Sequence, residues 1–210
     1  MKSRALIYFI LVTFLFTSLP AEAGLRLGIA GGAGRASWDA KQNIQGLEII
    51  YSTDPKFALT GGAFLELRFA EFLGLEVGYF VEQRRFDFRD GPITTEISYR
   101  DTILPVLLRL WLADFFSIGV GGYHAKRSGG LRATSHLTPS GTPWTYDLPQ
   151  TENVDQGFAG AVGLCFPMAP WTCFFMEGRL YQGLSGASRD ATYDIKTRNS
   201  VFLLGFRFGS

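Results

Sequence analysis

Between Phe57 and Phe69 the chain alternates in character. Phe57, Leu59, Gly61, Ala63, Leu65, Leu67 and Phe69 hold the odd positions, and Thr60, Gly62, Glu66 and Arg68 are among the even ones. A period of two belongs to a β-strand, whose successive side chains point to opposite faces. The next segment repeats the pattern, with Leu73, Leu75, Val77, Tyr79 and Val81 on one side and Gly74, Glu76, Gly78, Glu82 and Arg84 on the other. A helix would scatter Glu66, Arg68, Glu76 and Glu82 around its surface, whereas a strand collects them on one face. Between Trp171 and Leu184 the same sorting puts Phe174, Met176, Leu180 and Leu184 opposite Glu177, Arg179 and Tyr181.

Read this way, the chain predicts eight strands, at about 25–36, 57–70, 73–88, 98–112, 115–127, 154–167, 171–185 and 198–209. Each reaches the roughly 10 residues that cross a bilayer at the usual strand tilt. The connections Glu71-Phe72, Ala113-Asp114 and Pro167 to Pro170 are short, while 37–56, 89–97, 128–153 and 186–197 are long and polar. Short turns on one rim and long loops on the other are the pattern of an outer-membrane barrel. An even strand count places both ends of the folded chain at the short-turn, periplasmic rim. The 210 residues are 47% hydrophobic, which excludes a disordered chain, and their net charge of +1 removes the electrostatic case for a nucleic-acid partner.

The first 23 residues stand apart. Lys2 and Arg4 precede an apolar run from Ala5 to Phe16, and Ala21-Glu22-Ala23 ends it with small residues at the cleavage positions. These features predict a cleaved signal peptide at 1–23 and a mature barrel domain at 24–210. The run is too short for a transmembrane anchor, and no later stretch reaches the ~18 apolar residues that a spanning helix needs. A membrane-embedded mature chain therefore crosses as strands, in an eight-stranded antiparallel up-and-down barrel.

An interior enclosed by eight strands is just wide enough for side chains to fill. The inward set carries both signs: Glu66, Glu76, Glu82 and Glu177 against Arg26, Arg68, Arg84, Arg109, Arg179 and Arg207. Unpaired burial of any one costs several kcal/mol, so a hydrogen-bonded ladder of Arg and Glu along the axis is expected. Phe69, Phe72, Trp111, Phe115, Phe116, Phe166, Trp171 and Phe174 fall beside the short turns, with Tyr79, Tyr99, Tyr123, Phe158 and Tyr181 toward the long loops. Two aromatic levels suit the two interfaces of a bilayer, although some of these rings must face inward. A soluble, lipocalin-like barrel inverts the faces and would leave Glu66, Arg68 and Glu76 on its outer wall.

The last strand, Ser200 to Ser210, places Phe202, Leu204, Phe206 and Phe208 on one face. With Ile103-Leu104-Pro105-Val106-Leu107-Leu108-Arg109, Asp155 to Leu164 and Arg179-Leu180-Tyr181-Gln182-Gly183-Leu184, it resembles the small, porin-like outer-membrane barrel proteins of OmpA/OmpX-type architecture. The resemblance implies location in a Gram-negative outer membrane, contact with its lipids and lipopolysaccharide, and a C-terminal strand read by the barrel assembly machinery.

Several residues carry more local expectations. Pro105 removes a ladder hydrogen bond, so a bulge or local break is expected there. Cys165 and Cys173 flank the Pro167 to Pro170 turn on the inward face. They admit either a disulfide directly across the hairpin or two free buried thiols. Two cysteines offer too few ligands for a metal, and none is expected; nor is a cofactor. Ser128 lies ~13 Å along the strand from His124, and His136 sits in a long loop, so no catalytic group assembles. Loop 128–153 brings Trp144 and Tyr146 to the surface, and Lys126, Arg127 and Arg132 are placed to meet lipopolysaccharide phosphates. A structural or adhesive barrel with a filled lumen follows. The alternatives are a narrow channel for small solutes and, third, a lipid-processing enzyme.

Overall fold

A computed structural model describes residues 24–44, 47–90, 93–128, 131–137, 143–148, 154–184 and 193–209. The expected signal peptide at 1–23 lies outside them. The described residues form strands and turns without a helix. The strands are β1 (Gly24–Ile44), β2 (Leu47–Ser52), β3 (Asp54–Pro55), β4 (Phe57–Ala70), β5 (Leu73–Asp90), β6 (Ile93–Ala113), β7 (Phe116–Arg127), β8 (Leu131–Leu137), β9 (Trp144–Leu148), β10 (Val154–Ala169), β11 (Thr172–Gly183) and β12 (Tyr193–Phe208).

Eight of them close a ring. β1 pairs with β4, β4 with β5, β5 with β6, β6 with β7, β7 with β10, β10 with β11, and β11 with β12, all antiparallel. β12 returns to β1 with Leu27 opposite Phe208 and Gly34 opposite Val201. A closed ring leaves no strand edge, so every wall strand has a hydrogen-bonding neighbour on each side, which a lipid environment demands. The architecture is the all-β, eight-stranded antiparallel barrel that the alternation predicted.

Alternation also decides which face meets lipid. Leu25, Leu27, Ile29, Leu59, Leu65, Val77, Tyr79, Leu104, Val106, Leu108, Leu112, Val120, Phe158, Val162, Leu180, Phe202 and Leu204 all point out of the ring and are exposed. Their inward neighbours Phe64, Glu66, Glu76, Phe80, Leu107, Arg109, Phe175, Glu177 and Arg179 are buried. On β6 the outward series runs Leu104, Val106, Leu108, Leu110, Leu112, then turns polar above Leu104 at Thr102 and Arg100. On β5 it changes between Val81 and Gln83. On these two strands the apolar series spans Leu73–Val81 and Leu104–Leu112, which matches the ~25 Å band of a transmembrane barrel. Phe72, Phe115, Trp171 and Met168 mark its lower rim.

The strands outgrow the sequence-based limits at the upper end. The expected strands 25–36, 98–112 and 198–209 become β1, β6 and β12, and part of the long connections is paired sheet. β2 folds back on β1 from Asp39↔Ser52 to Ile44↔Leu47. β8 lines up beside β6 from Ile93↔Leu137 to Ser98↔Arg132, and β9 follows β8. Neighbouring strands supply the backbone partners that give such segments their form, so their irregular, polar sequences showed no period.

Pro105 does not make a bulge. Partnering of β5 with β6 runs from Leu73↔Leu110 to Val77↔Val106 and resumes at Phe80↔Ile103 in the same register. Pro105 itself faces Tyr123 on β7. The interruption is a two-residue gap in one ladder, the local break that a missing N–H produces.

Gly28 faces inward directly opposite Phe64, and a Cβ there would run into the Phe64 ring. The glycine thus gives the aromatic side chain its place in the wall. Replacing Gly28 with Leu is expected to abolish the heat-modifiable folded band on semi-native gels. Adding Phe64→Ala to the same chain should bring part of that band back.

Candidate functional site

The lumen is filled in tiers, and the middle tier is ionic. Arg109 on β6 donates through Nε to Glu76 Oε2 at 2.5 Å and through a terminal nitrogen to Glu177 Oε2 at 2.5 Å. Arg179 on β11 donates through a terminal nitrogen to Glu76 Oε1 at 2.7 Å and through Nε to Glu177 Oε1. Each arginine thus bridges both glutamates, and each glutamate accepts from both arginines. Ser117 Oγ accepts a further bond from Arg109 at 3.1 Å. β5 and β11 stand four strands apart either way round the ring, so this quartet ties opposite walls together across the axis. All four side chains are at most 1% exposed, and at that burial only mutual pairing keeps them charged.

Apolar side chains pack around the quartet. Phe64 and Phe175 meet edge to face with centroids 5.5 Å apart, and the Arg179 guanidinium lies over the Phe80 ring at 4.6 Å. Above them Tyr123 and Tyr181 meet edge to face at 5.1 Å.

The upper tier centres on Arg84, whose Nε lies 3.2 Å from Asp101 and 3.4 Å from Glu82. A terminal nitrogen of Arg84 stands 3.6 Å from Asp155. Asn199 Nδ2 donates to both Glu82 oxygens at 2.7 Å, while Thr197 and Tyr123 hydroxyls donate to Asp155 at 2.6 and 3.0 Å. Phe86 and Tyr99 close over this tier as a separate apolar pair.

The lower tier surrounds Trp111. Its indole Nε1 donates to Glu66 Oε1 at 2.7 Å. Arg207 Nε lies 3.3 Å from the other Glu66 oxygen, and Arg68 Nε 3.7 Å from the first. Arg26, Arg68 and Arg207 all stack around the indole, at 5.7, 4.3 and 4.9 Å from the ring centroid.

The structure therefore brings Glu66, Arg68, Glu76, Glu82, Arg84, Arg109, Glu177, Arg179 and Arg207 into the lumen, sorted into three groups instead of one continuous ladder. Sequence reasoning missed Asp101, Asp155 and Asn199. Asp101 was within reach, because it shares the odd-numbered face of β6 with Ile103, Leu107 and Arg109. Trp111 is one of the short-turn aromatics that face inward: its register turns it into the lumen, where Glu66 accepts its N–H.

Cys165 and Cys173 are disulfide-bonded, with Cα atoms 5.7 Å apart. Cys165 lies opposite Phe175, and Cys173 opposite Pro167. The bridge is therefore diagonal across the hairpin, because the chain turns at Pro170 and Trp171, later than the position near Ala169 that direct pairing requires.

At the end of the barrel that carries the long connections, Lys126, Arg132 and Trp144 are exposed. Arg127 is corrected inward, its guanidinium 4.3 Å over the Tyr99 ring. Tyr146 pairs through its backbone with Ala133, and its side chain lies outside the described residues. Lys56 Nζ bridges Asp87 and Glu96 at 2.8 Å each. Burial depresses the Lys56 amine, but these two bonds outweigh it and carry its pKa above the usual lysine value. His124 shares a hydrogen bond with Gln156 at 2.9 Å, and Ser128 bonds the Arg100 carbonyl. Among the described residues no group of three or more His, Cys, Asp or Glu is placed to hold a metal ion. The His136 side chain lies outside them.

No protein-family model and no curated protein matches the chain. Solved structures do. The outer membrane protein OprG from Pseudomonas aeruginosa superposes with a TM-score of 0.52 at 15% identity, covering 89% of this chain and 96% of that one. Neisserial surface protein A gives 0.43 at 11% identity over 87% and 96%. Ail, the attachment invasion locus protein of Yersinia pestis, gives 0.40 at 16% over 87% and 98%. Closed ring, apolar belt and the superposition on OprG agree on one class: a transmembrane β-barrel of the bacterial outer-membrane type.

Removing one member of the quartet strands the others. Glu177→Leu or Arg179→Leu alone should each cost about 3–5 kcal/mol in urea unfolding, the usual penalty for orphaning a buried charge. The double variant Glu177→Leu/Arg179→Leu keeps the Arg109–Glu76 pair, and its loss should be smaller than the sum of the two singles.

Proposed function

We propose that this chain serves the outer membrane as a closed barrel, structural or surface-binding, that conducts no solute. The observation that carries this reading is the Arg109–Glu76–Arg179–Glu177 quartet, which joins opposite walls with side chains at most 1% exposed. Opening a water path would require breaking four charge-assisted bonds, each roughly twice as strong as a neutral hydrogen bond. The aromatic pairs above and Trp111 below obstruct the same axis.

Binding belongs to the outer rim. Immediately above the apolar belt the outward positions carry Arg35, Arg85, Arg100, Lys126 and Arg198, all exposed, and Arg132 on β8 adds a sixth charge. Cations at this height, on several sides of the ring, suit the phosphate groups of lipopolysaccharide in the outer leaflet. The β8–β9 hairpin lifts Trp144 beyond that level as a contact for a surface ligand. During biogenesis the C-terminal strand, with Phe202, Phe206 and Phe208 outward, is the segment offered to the barrel assembly machinery.

Purified barrel in planar bilayers is expected to show no steady conductance, and reproducible single-channel steps would replace this reading with a narrow channel. Substituting Arg100 and Lys126 together by Gln should weaken lipopolysaccharide binding by about fivefold for each charge removed, while the urea midpoint stays unchanged.

A further inference from the structure

The lower tier differs from the other two in charge balance. Three guanidiniums, Arg26, Arg68 and Arg207, crowd one indole, while the carboxylates near them are Glu66 and Asp114. Arg26, Arg68, Arg207 and Asp114, together with Trp171 and Thr172, line a cavity of about 420 Å³ that opens at the short-turn rim. In the quartet each arginine is matched to two carboxylate oxygens. Here Arg26 Nε, Arg68 Nε, a terminal nitrogen of Arg68 and Arg207 Nε are buried without a hydrogen-bond acceptor. The Arg207 side chain is only 3% exposed, yet it lies in the cavity wall, with Glu66 Oε2 at 3.3 Å as an ion-pair partner too poorly aligned for a hydrogen bond.

Like charges held around one ring repel, and donors buried without acceptors cost free energy. An anion in the cavity offsets the repulsion, and guanidiniums that turn toward it gain acceptors. The planar fork of arginine fits phosphate oxygens, and three such forks around a pocket open on one side form a phosphate cradle. We propose that the periplasmic mouth of the barrel binds a phosphate group, held by Arg26, Arg68 and Arg207. The group is that of a small soluble phosphate or of a phospholipid headgroup in the inner leaflet, since the cavity opens where both are present. This inference does not depend on the function proposed above, because that reading concerns the opposite rim and the sealed middle of the lumen.

The test is calorimetric titration of the folded, disulfide-intact barrel in uncharged detergent at fixed ionic strength, in two arms. One arm uses inorganic phosphate and the other a short-chain phosphatidic acid below its micellar concentration. Saturable one-to-one binding in either arm is expected. It should weaken at least tenfold in Arg68→Gln and in Arg26→Gln and persist in the charge-matched control Lys56→Gln, at the other end of the barrel and outside both sets of phosphate-facing cations. Arg68 and Arg26 are chosen because Arg207 also holds Glu66, so Arg207→Gln risks misfolding. Binding of phosphatidic acid that inorganic phosphate does not displace identifies a lipid headgroup, and full displacement identifies a soluble phosphate. Failure of both ligands to bind, or binding unchanged in Arg68→Gln and Arg26→Gln, overturns the proposal.

Discussion

An eight-stranded ring leaves an interior that only side chains can fill, and every charge that enters it must find its opposite there. The rest of the molecule follows from that constraint. A ring this small cannot hold a column of water wide enough to hydrate its glutamates, aspartates and arginines, so most of them pair with one another across the axis. The Arg109–Glu76–Arg179–Glu177 quartet is the tightest expression, because it satisfies two residues of each sign and fastens β5 and β6 to β11 in one motif.

The outer surface obeys the complementary condition. In hydrocarbon every backbone N–H and C=O must be paired within the protein, which closes the ring through β1 and β12. With the backbone satisfied, the outward side chains need only be apolar, and Leu25, Leu65, Val77, Leu108, Val162, Leu180 and Phe202 are. One alternation thus serves two solvents at once, which is why Glu66 and Leu65, adjacent in sequence, reside in such different surroundings.

Much of this was legible in the residues. The barrel, its strand number, the facing of Glu66, Glu76, Glu177 and Arg179, and the division into short and long connections follow from period two and from charge. The finer arrangement did not. Which arginine meets which glutamate depends on the shear of the ring, and that is a property of eight registers together. Trp111 sits one residue from the apolar Leu110 and Leu112, so its side of the wall is fixed by register and not by type. β2, β8 and β9 gain their form by pairing with β1 and β6, and their own sequences carry too little alternation to announce it. Arg127 looked like a loop cation because it closes β7, but its odd position turns it inward over Tyr99.

All of this rests on oily side chains facing the acyl chains while ionic ones face the axis. The direct measurement is photolabelling of the barrel reconstituted with lipids that carry a carbene-generating group in the acyl chain, read residue by residue by mass spectrometry. Label on Leu65, Val77 and Leu180, with Glu66, Glu76 and Arg179 untouched, is the predicted outcome. Label on Glu66 or Arg179 in place of Leu65 and Leu180 would contradict the account.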